Sequence, residues 1–117
     1  MCGIVGMVRL DGAAVAPEDV WPSVRLIEHR GPDHQDVWTG DGVGLGHARL
    51  SIIDVSDDGH QPMHSACGRY VMVYNGEIYN FADLRQQFLS AHTFRSSSDS
   101  EVLLELYAKL GKQCVEH

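Results

Sequence analysis

The sequence predicts an α+β fold built on an antiparallel sheet, and two observations carry that expectation. Short β-rich runs are joined by glycine-containing hairpin turns ("GDG", "YNGE"), and such hairpins outnumber β-α-β units. Helical periodicity is confined to separate stretches, the clearest being "SDSEVLLELYAKLG". In chain order, residues 3–10, "GIVGMVRL", form an apolar run stopped by Asp-Gly, as a buried strand would be. "PEDVWPSVRLIEH" follows as a helix, with Pro17 in its first turn and Glu18 and Asp19 at the positive end of its dipole. Val20, Trp21, Val24 and Ile27 mark one face, and Pro22 limits how early regular hydrogen bonding begins. "HRGPDH" is a loop, and "DVWTG" and "VGLGHARLSIID" are strands joined by the "GDG" turn. Residues 55–68 are polar and turn-rich. Residues 69–74, "RYVMVY", predict a strand, with Asn75-Gly76 turning it into a very short return strand at "EIYN". "NFADLRQQFL" predicts a helix capped by Asn80, with Phe81, Leu84 and Phe88 on one face. The last helix carries Ser98 and Glu101 as a capping box, an apolar stripe of Val102, Leu103, Leu106 and Leu110, and a stop at Gly111.

Bulk properties exclude several classes. A chain of 117 residues with 44% hydrophobic and 21% charged residues suits one small globular domain. A net charge of −7 without a basic cluster argues against nucleic acid or an anionic membrane as partner. No apolar run approaches the roughly 20 residues of a membrane helix, and the opening residues do not read as a secretory leader. Three widely spaced cysteines (Cys2, Cys67 and Cys114) suit a reducing compartment, so a cytoplasmic location is expected.

Four positions stand out chemically, each with a purely structural alternative. Once Met1 is removed, Cys2 carries a thiol and a free α-amine on one residue. An α-amine has an intrinsic pKa of about 7.7–8.0, so near neutral pH it can accept and return a proton for the adjacent nucleophile. Alternatively, Cys2 is a small apolar residue leading into a strand. Asn75 and Gly76 are a hairpin turn, or else a side-chain amide and a backbone N–H paired as an oxyanion hole. Arg49, inside an apolar strand, has an internal carboxylate as partner or clamps a ligand's carboxylate. Asp99, in the first turn of the last helix, is accounted for by the helix dipole alone. "GDGVGLG" lacks the spacing of a dinucleotide loop, and in "HQPMHSAC" Pro62 separates His60 and His64, so no metal site is expected.

In order, "MCGIVG", "HRGPD", "GHARLSIID", "QPM", "YNGEIYN" and "SDSEVLL" resemble the glutaminase domain of glutamine-hydrolysing asparagine synthetases, members of the class II amidotransferases. The resemblance runs from Cys2 to Cys114. It implies an N-terminal-nucleophile hydrolase fold, with antiparallel sheets sandwiched between helices. It implies that Cys2 attacks the side-chain amide of glutamine with its own amine as base, and that Asn75 and Gly76 form the oxyanion hole. Arg49 then holds the substrate's α-carboxylate, Asp99 with Glu77 meets its α-ammonium, and Leu50, Ser51, Ile52 and Ile53 line the glutamine pocket. Residues 1–117 correspond to the N-terminal part of that domain. Further strands and an ATP- and magnesium-using synthetase domain follow in the family, and no "SGGxDS"-like loop occurs here. The chain is therefore expected to be a fragment with an incomplete fold, needing no cofactor of its own, with oligomerisation left open. A non-catalytic binding module and an amidotransferase with a different ammonia acceptor are the alternatives.

Overall fold

In a computed structural model, which describes residues 1–51 and 56–117, the main sheet has three antiparallel strands in the order β1-β3-β2. They are β1 (Gly3–Val8), β2 (His34–Gly40) and β3 (Val43–Arg49). The described residues fall into two units. The first comprises Met1–Ser51, His60–Pro62 and Met72–Gly76. The second comprises the described residues of Ile52–Gly59, with Met63–Val71 and Glu77–His117.

In the first unit β2 and β3 form the expected hairpin across Asp41-Gly42, where Gly42 takes φ +69°. β1 pairs the other edge of β3, with Gly3 opposite Ala48 and Ile4 opposite His47. Helix α1 (Pro17–Leu26) starts where the sequence places it. Pro17 needs no N–H donor at the first helical position, and the Asp19 carboxylate accepts the Ala16 N–H at 2.9 Å. Pro22 lies inside the helix, where it has no N–H to give the Glu18 carbonyl. Val20 and Val24 are fully buried with Val15, and Val5, Met7, Trp21 and Val37 pack around them. Burial of each valine is worth about 1.5–3 kcal/mol. Gly44 and Gly46 permit this packing, because a Cβ on Gly44 would run into the side chains of Val20 and Val15, and one on Gly46 into those of Val24 and Val20. The strand register puts Ile4, Val8, Leu45 and His47 on the opposite sheet face, where Ile4 and Val8 are exposed.

The second unit centres on α3 (Asp99–Leu110), which packs with α2 (Phe81–Phe88). Leu84, Leu89, Val102, Leu106 and Cys114 form its core, supported by Ile78, Phe81, Phe88, Phe94 and Leu110. β4 (Met63–His64) and β5 (Val71–Met72) make a two-residue ladder around a turn in which Gly68 has φ +70°.

Several expectations are corrected. The hairpin expected at Asn75-Gly76 does not form, and neither "EIYN" nor the whole of residues 69–74 is a strand. Neither Asn75 nor Gly76 has the positive φ that the tight hairpin turn demands. β3 ends at Arg49, so Leu50 and Ser51 lie beyond it, and Ile52 and Ile53 lie outside the described residues. Beyond the strand, the Asp33 N–H donates to the Arg49 carbonyl at 3.0 Å, and the Asp33 carboxylate accepts the Ser51 N–H at 2.7 Å. Asn80 precedes α2 without capping it, its amide donating instead to the His117 carbonyl. Ser98 caps α3 by accepting the Ser100 N–H at 3.0 Å, but Glu101 does not complete the box. Its carboxylate accepts from the Arg95 N–H, the Ser96 N–H and the Ser96 hydroxyl at 3.0, 2.7 and 2.6 Å. Leu104 is buried and Leu103 only half-buried, because α3 buries a broad face that also takes in Glu101 and Glu105.

Candidate active site

The first unit brings Cys2 against the segment that leaves β3. The Leu50 N–H donates to Cys2 Sγ at 3.4 Å, and Sγ lies 3.6 Å from the Leu50 carbonyl. Arg30 Nε donates to the Cys2 carbonyl at 3.1 Å. The loop "HRGPD" does the positioning. Gly31 is buried so tightly under β3 that a Cβ would strike the Ala48 backbone, and Asp33 then grips Arg49 and Ser51 as described above. Cys2 is half-buried, whereas Met1 is largely exposed. Arg49 is buried in β3, 6% exposed, as the sequence leads one to expect.

Asn75 and Gly76 are exposed at the end of the segment that returns to the first unit. The residue before them is held on both sides: the Tyr74 N–H donates to Gln61 Oε1 at 2.5 Å, and His47 Nε2 donates to the Tyr74 carbonyl at 3.2 Å. A carbonyl only accepts, so Nε2 carries the proton. His47 is fully buried, and burial pulls its pKa down to about 4, helped by the nearby charges of Arg49, His34 and His60 and opposed by the bond to Tyr74. His34 and His60 stack with ring centroids 3.5 Å apart.

Glu77 and Asp99 belong to the second unit. Glu77 is exposed. Asp99 is buried at the first position of α3, where its carboxylate accepts the Ile78 N–H at 2.8 Å. The other thiols differ in setting. Cys67 is exposed, and the Ser65 hydroxyl beside it lowers its pKa, while burial raises that of Cys114. Among the described residues no three His, Cys, Asp or Glu side chains are grouped as a metal site requires. No helix among them is long and apolar enough to cross a membrane.

Arg30, Asp33, His47 and Gln61 were not singled out from the sequence. The first two lie in "HRGPD", which reads as a loop and contributes to the resemblance without a role of its own, and the signal for His47 is a polar ring in the run "VGLGHARL".

Over residues 1–117 the chain matches the family described as glutamine amidotransferase domain, and it belongs to that family. It is 38% identical to asparagine synthetase [glutamine-hydrolyzing] 3 of Bacillus subtilis, over 100% of this chain and 20% of the relative. It is 36% identical to asparagine synthetase B [glutamine-hydrolyzing] of Escherichia coli, over 99% of this chain and 21% of the relative. It is also 37% identical to the protein named amidase chry2 of Gibberella zeae, over 100% of this chain and 19% of the relative. The chain thus spans about a fifth of the length of these relatives.

Proposed function

We propose that this chain is the glutaminase part of a glutamine-dependent asparagine synthetase. It hydrolyses glutamine to glutamate and ammonia, and the ammonia serves ATP-dependent amidation of aspartate in a synthetase domain. With Met1 removed, the α-amine of Cys2 takes the thiol proton as Sγ attacks the amide carbon. The Asn75 side-chain amide and the Gly76 N–H receive the charge that develops on oxygen. The amine passes its proton to the leaving nitrogen, the C–N bond breaks, and ammonia leaves a γ-glutamyl thioester on Cys2. Water then adds to the thioester carbon, its proton passing through the same amine to sulfur, and glutamate departs. Arg49 takes the substrate's α-carboxylate through its two-pronged guanidinium. Asp99, aided by Glu77, takes the α-ammonium, and Leu50, Ser51, Ile52 and Ile53 line the pocket. ATP and magnesium serve the synthetase domain, outside these steps.

One observation carries this reading: Cys2 Sγ is seated on the Leu50 backbone, one residue past the buried Arg49. Residues 1–117 form, in this account, the first part of an N-terminal-nucleophile sandwich. The exposed Ile4 and Val8 support it, since a second sheet packed about 10 Å away would bury them. A different ammonia acceptor is the second reading, favoured by the similarity to a protein named an amidase. The experiment is to supply glutamine to the protein carrying this chain and measure ammonia, with Cys2→Ala as control. Activity that survives Cys2→Ala refutes the proposal. Adding aspartate, ATP and magnesium then separates the two acceptors by whether asparagine appears.

A further inference from the structure

We infer that His47 is a positioning residue for the oxyanion hole: with Gln61 it clamps the Tyr74 peptide and so sets the placement of Asn75 and Gly76. The inference rests on the glutaminase reading given above. Tyr74 lies beyond β5, and its backbone N–H and carbonyl are bound by two side chains, Gln61 and His47. Both side chains are themselves fixed. His47 is fully buried in the central strand, paired with Ile4 on one side and Asp36 on the other, and Gln61 is 5% exposed. Gly76 also lies close against the Tyr74 side chain, since a Cβ on Gly76 would meet the Tyr74 hydroxyl.

The chemistry of the ring supports a task beyond packing. His47 Nδ1 is buried and has no hydrogen bond among the described residues. A buried acceptor without a partner is destabilising, so an aliphatic side chain would serve the core better. What the imidazole supplies, and an aliphatic residue cannot, is the Nε2–H for Tyr74. Its depressed pKa keeps the ring neutral, in the tautomer that donates there, throughout the range in which a free imidazole would titrate. An oxyanion hole acts only when its donors are already aimed at the position the charge will occupy. A clamp one residue upstream is a means of aiming them.

The test compares His47→Leu, which removes the donor, with His47→Gln, whose carboxamide retains an N–H, in the protein carrying this chain. Misplacement of catalytic groups by about 1 Å costs on the order of 10²-fold in rate. His47→Leu is therefore expected to lower kcat by about that factor with KM within about twofold, and His47→Gln to recover at least about tenfold of the loss. Hydrogen exchange at the Tyr74 amide, which donates to Gln61, is expected to accelerate in His47→Leu and to return toward the wild-type rate in His47→Gln. Wild-type kcat with unchanged exchange in a folded His47→Leu protein would overturn the inference, as would a loss confined to KM. If His47→Leu does not fold, Gln61→Met removes the other arm of the clamp and is read in the same two ways. The exchange measurement also separates this inference from the glutaminase reading. Should the wild-type protein release no ammonia, the glutaminase reading fails, while the protection of the Tyr74 amide still reports whether His47 helps to hold that residue.

Discussion

Lowering the pH from 7 to 4.5 is expected to destabilise the wild-type protein more than its His47→Gln variant. In the folded protein the imidazole titrates at about 4, against an ordinary value of 6.5, chiefly because its charged form is buried away from water. Below pH 6.5 the unfolded chain binds a proton that the folded protein refuses until about pH 4. The depressed folded pKa means that the neutral ring favours the folded state. Stability from this group is complete above pH 6.5, falls as the pH drops toward 4, and is level below that. The whole gap corresponds to at most about 3 kcal/mol, of which about 2 kcal/mol is lost between pH 7 and pH 4.5. That is a large fraction of the 5–15 kcal/mol that is typical of a folded domain. Urea unfolding of both proteins at the two pH values isolates the contribution, because carboxylates titrating elsewhere are common to both. The expected result is a pH-induced loss about 2 kcal/mol smaller in the variant. Equal losses would show that His47 titrates as an exposed imidazole does, and would refute both the burial and the neutral donor drawn from it.

Arg49→Lys keeps the charge but loses the paired geometry, so glutamine affinity should fall by about 1.5–3 kcal/mol. Calorimetry with the Cys2→Ala protein measures this, and an unchanged affinity would count against Arg49 as the carboxylate clamp. Gly31→Ala places a Cβ on the Ala48 backbone, which cannot swing aside, and is expected to cost about 1–3 kcal/mol. A thermal midpoint equal to wild type would contradict that packing. Glu101→Gln turns an amide toward the two N–H groups and the hydroxyl that the carboxylate now accepts, at an expected cost of about 1–3 kcal/mol. Burial opposes the charge of Glu101, but those donors and the Arg95 guanidinium hold its pKa below the ordinary 4.5. Its contribution is therefore present above pH 4.5 and is lost as the pH falls through the lower folded value, so acid unfolding should show a weaker pH dependence in the variant.

What the sequence reveals of the fold follows the range of the forces involved. The hairpin at Asp41-Gly42, the start of α1 at Pro17 and the cap at Ser98 depend on a few neighbouring residues, and all three are legible. The errors occur where a group outside the local motif competes for one inside it, whether it is far along the chain or just upstream. Asn75-Gly76 has the composition of a turn, yet the peptide before it is held by His47 and Gln61, 27 and 13 residues away. Glu101 has the spacing of a capping box, yet it serves Arg95 and Ser96. At the site, Arg49 was visible because an arginine in an apolar strand is unusual. The seat of Cys2 was not, since it depends on Leu50, 48 residues along the chain, and on a loop whose Arg30 and Asp33 bind backbone rather than side chains.

The central claim is that Cys2, with its amine freed, is the nucleophile toward glutamine. Its most direct test is mass spectrometry of the protein carrying this chain after reaction with an electrophilic glutamine analogue, followed by peptide mapping. The account predicts that Met1 is absent, that a single adduct sits on Cys2, that excess glutamine prevents it, and that Cys67 and Cys114 remain unmodified. An adduct on the exposed Cys67, or a Cys2 still preceded by Met1 in protein that releases ammonia, would contradict it.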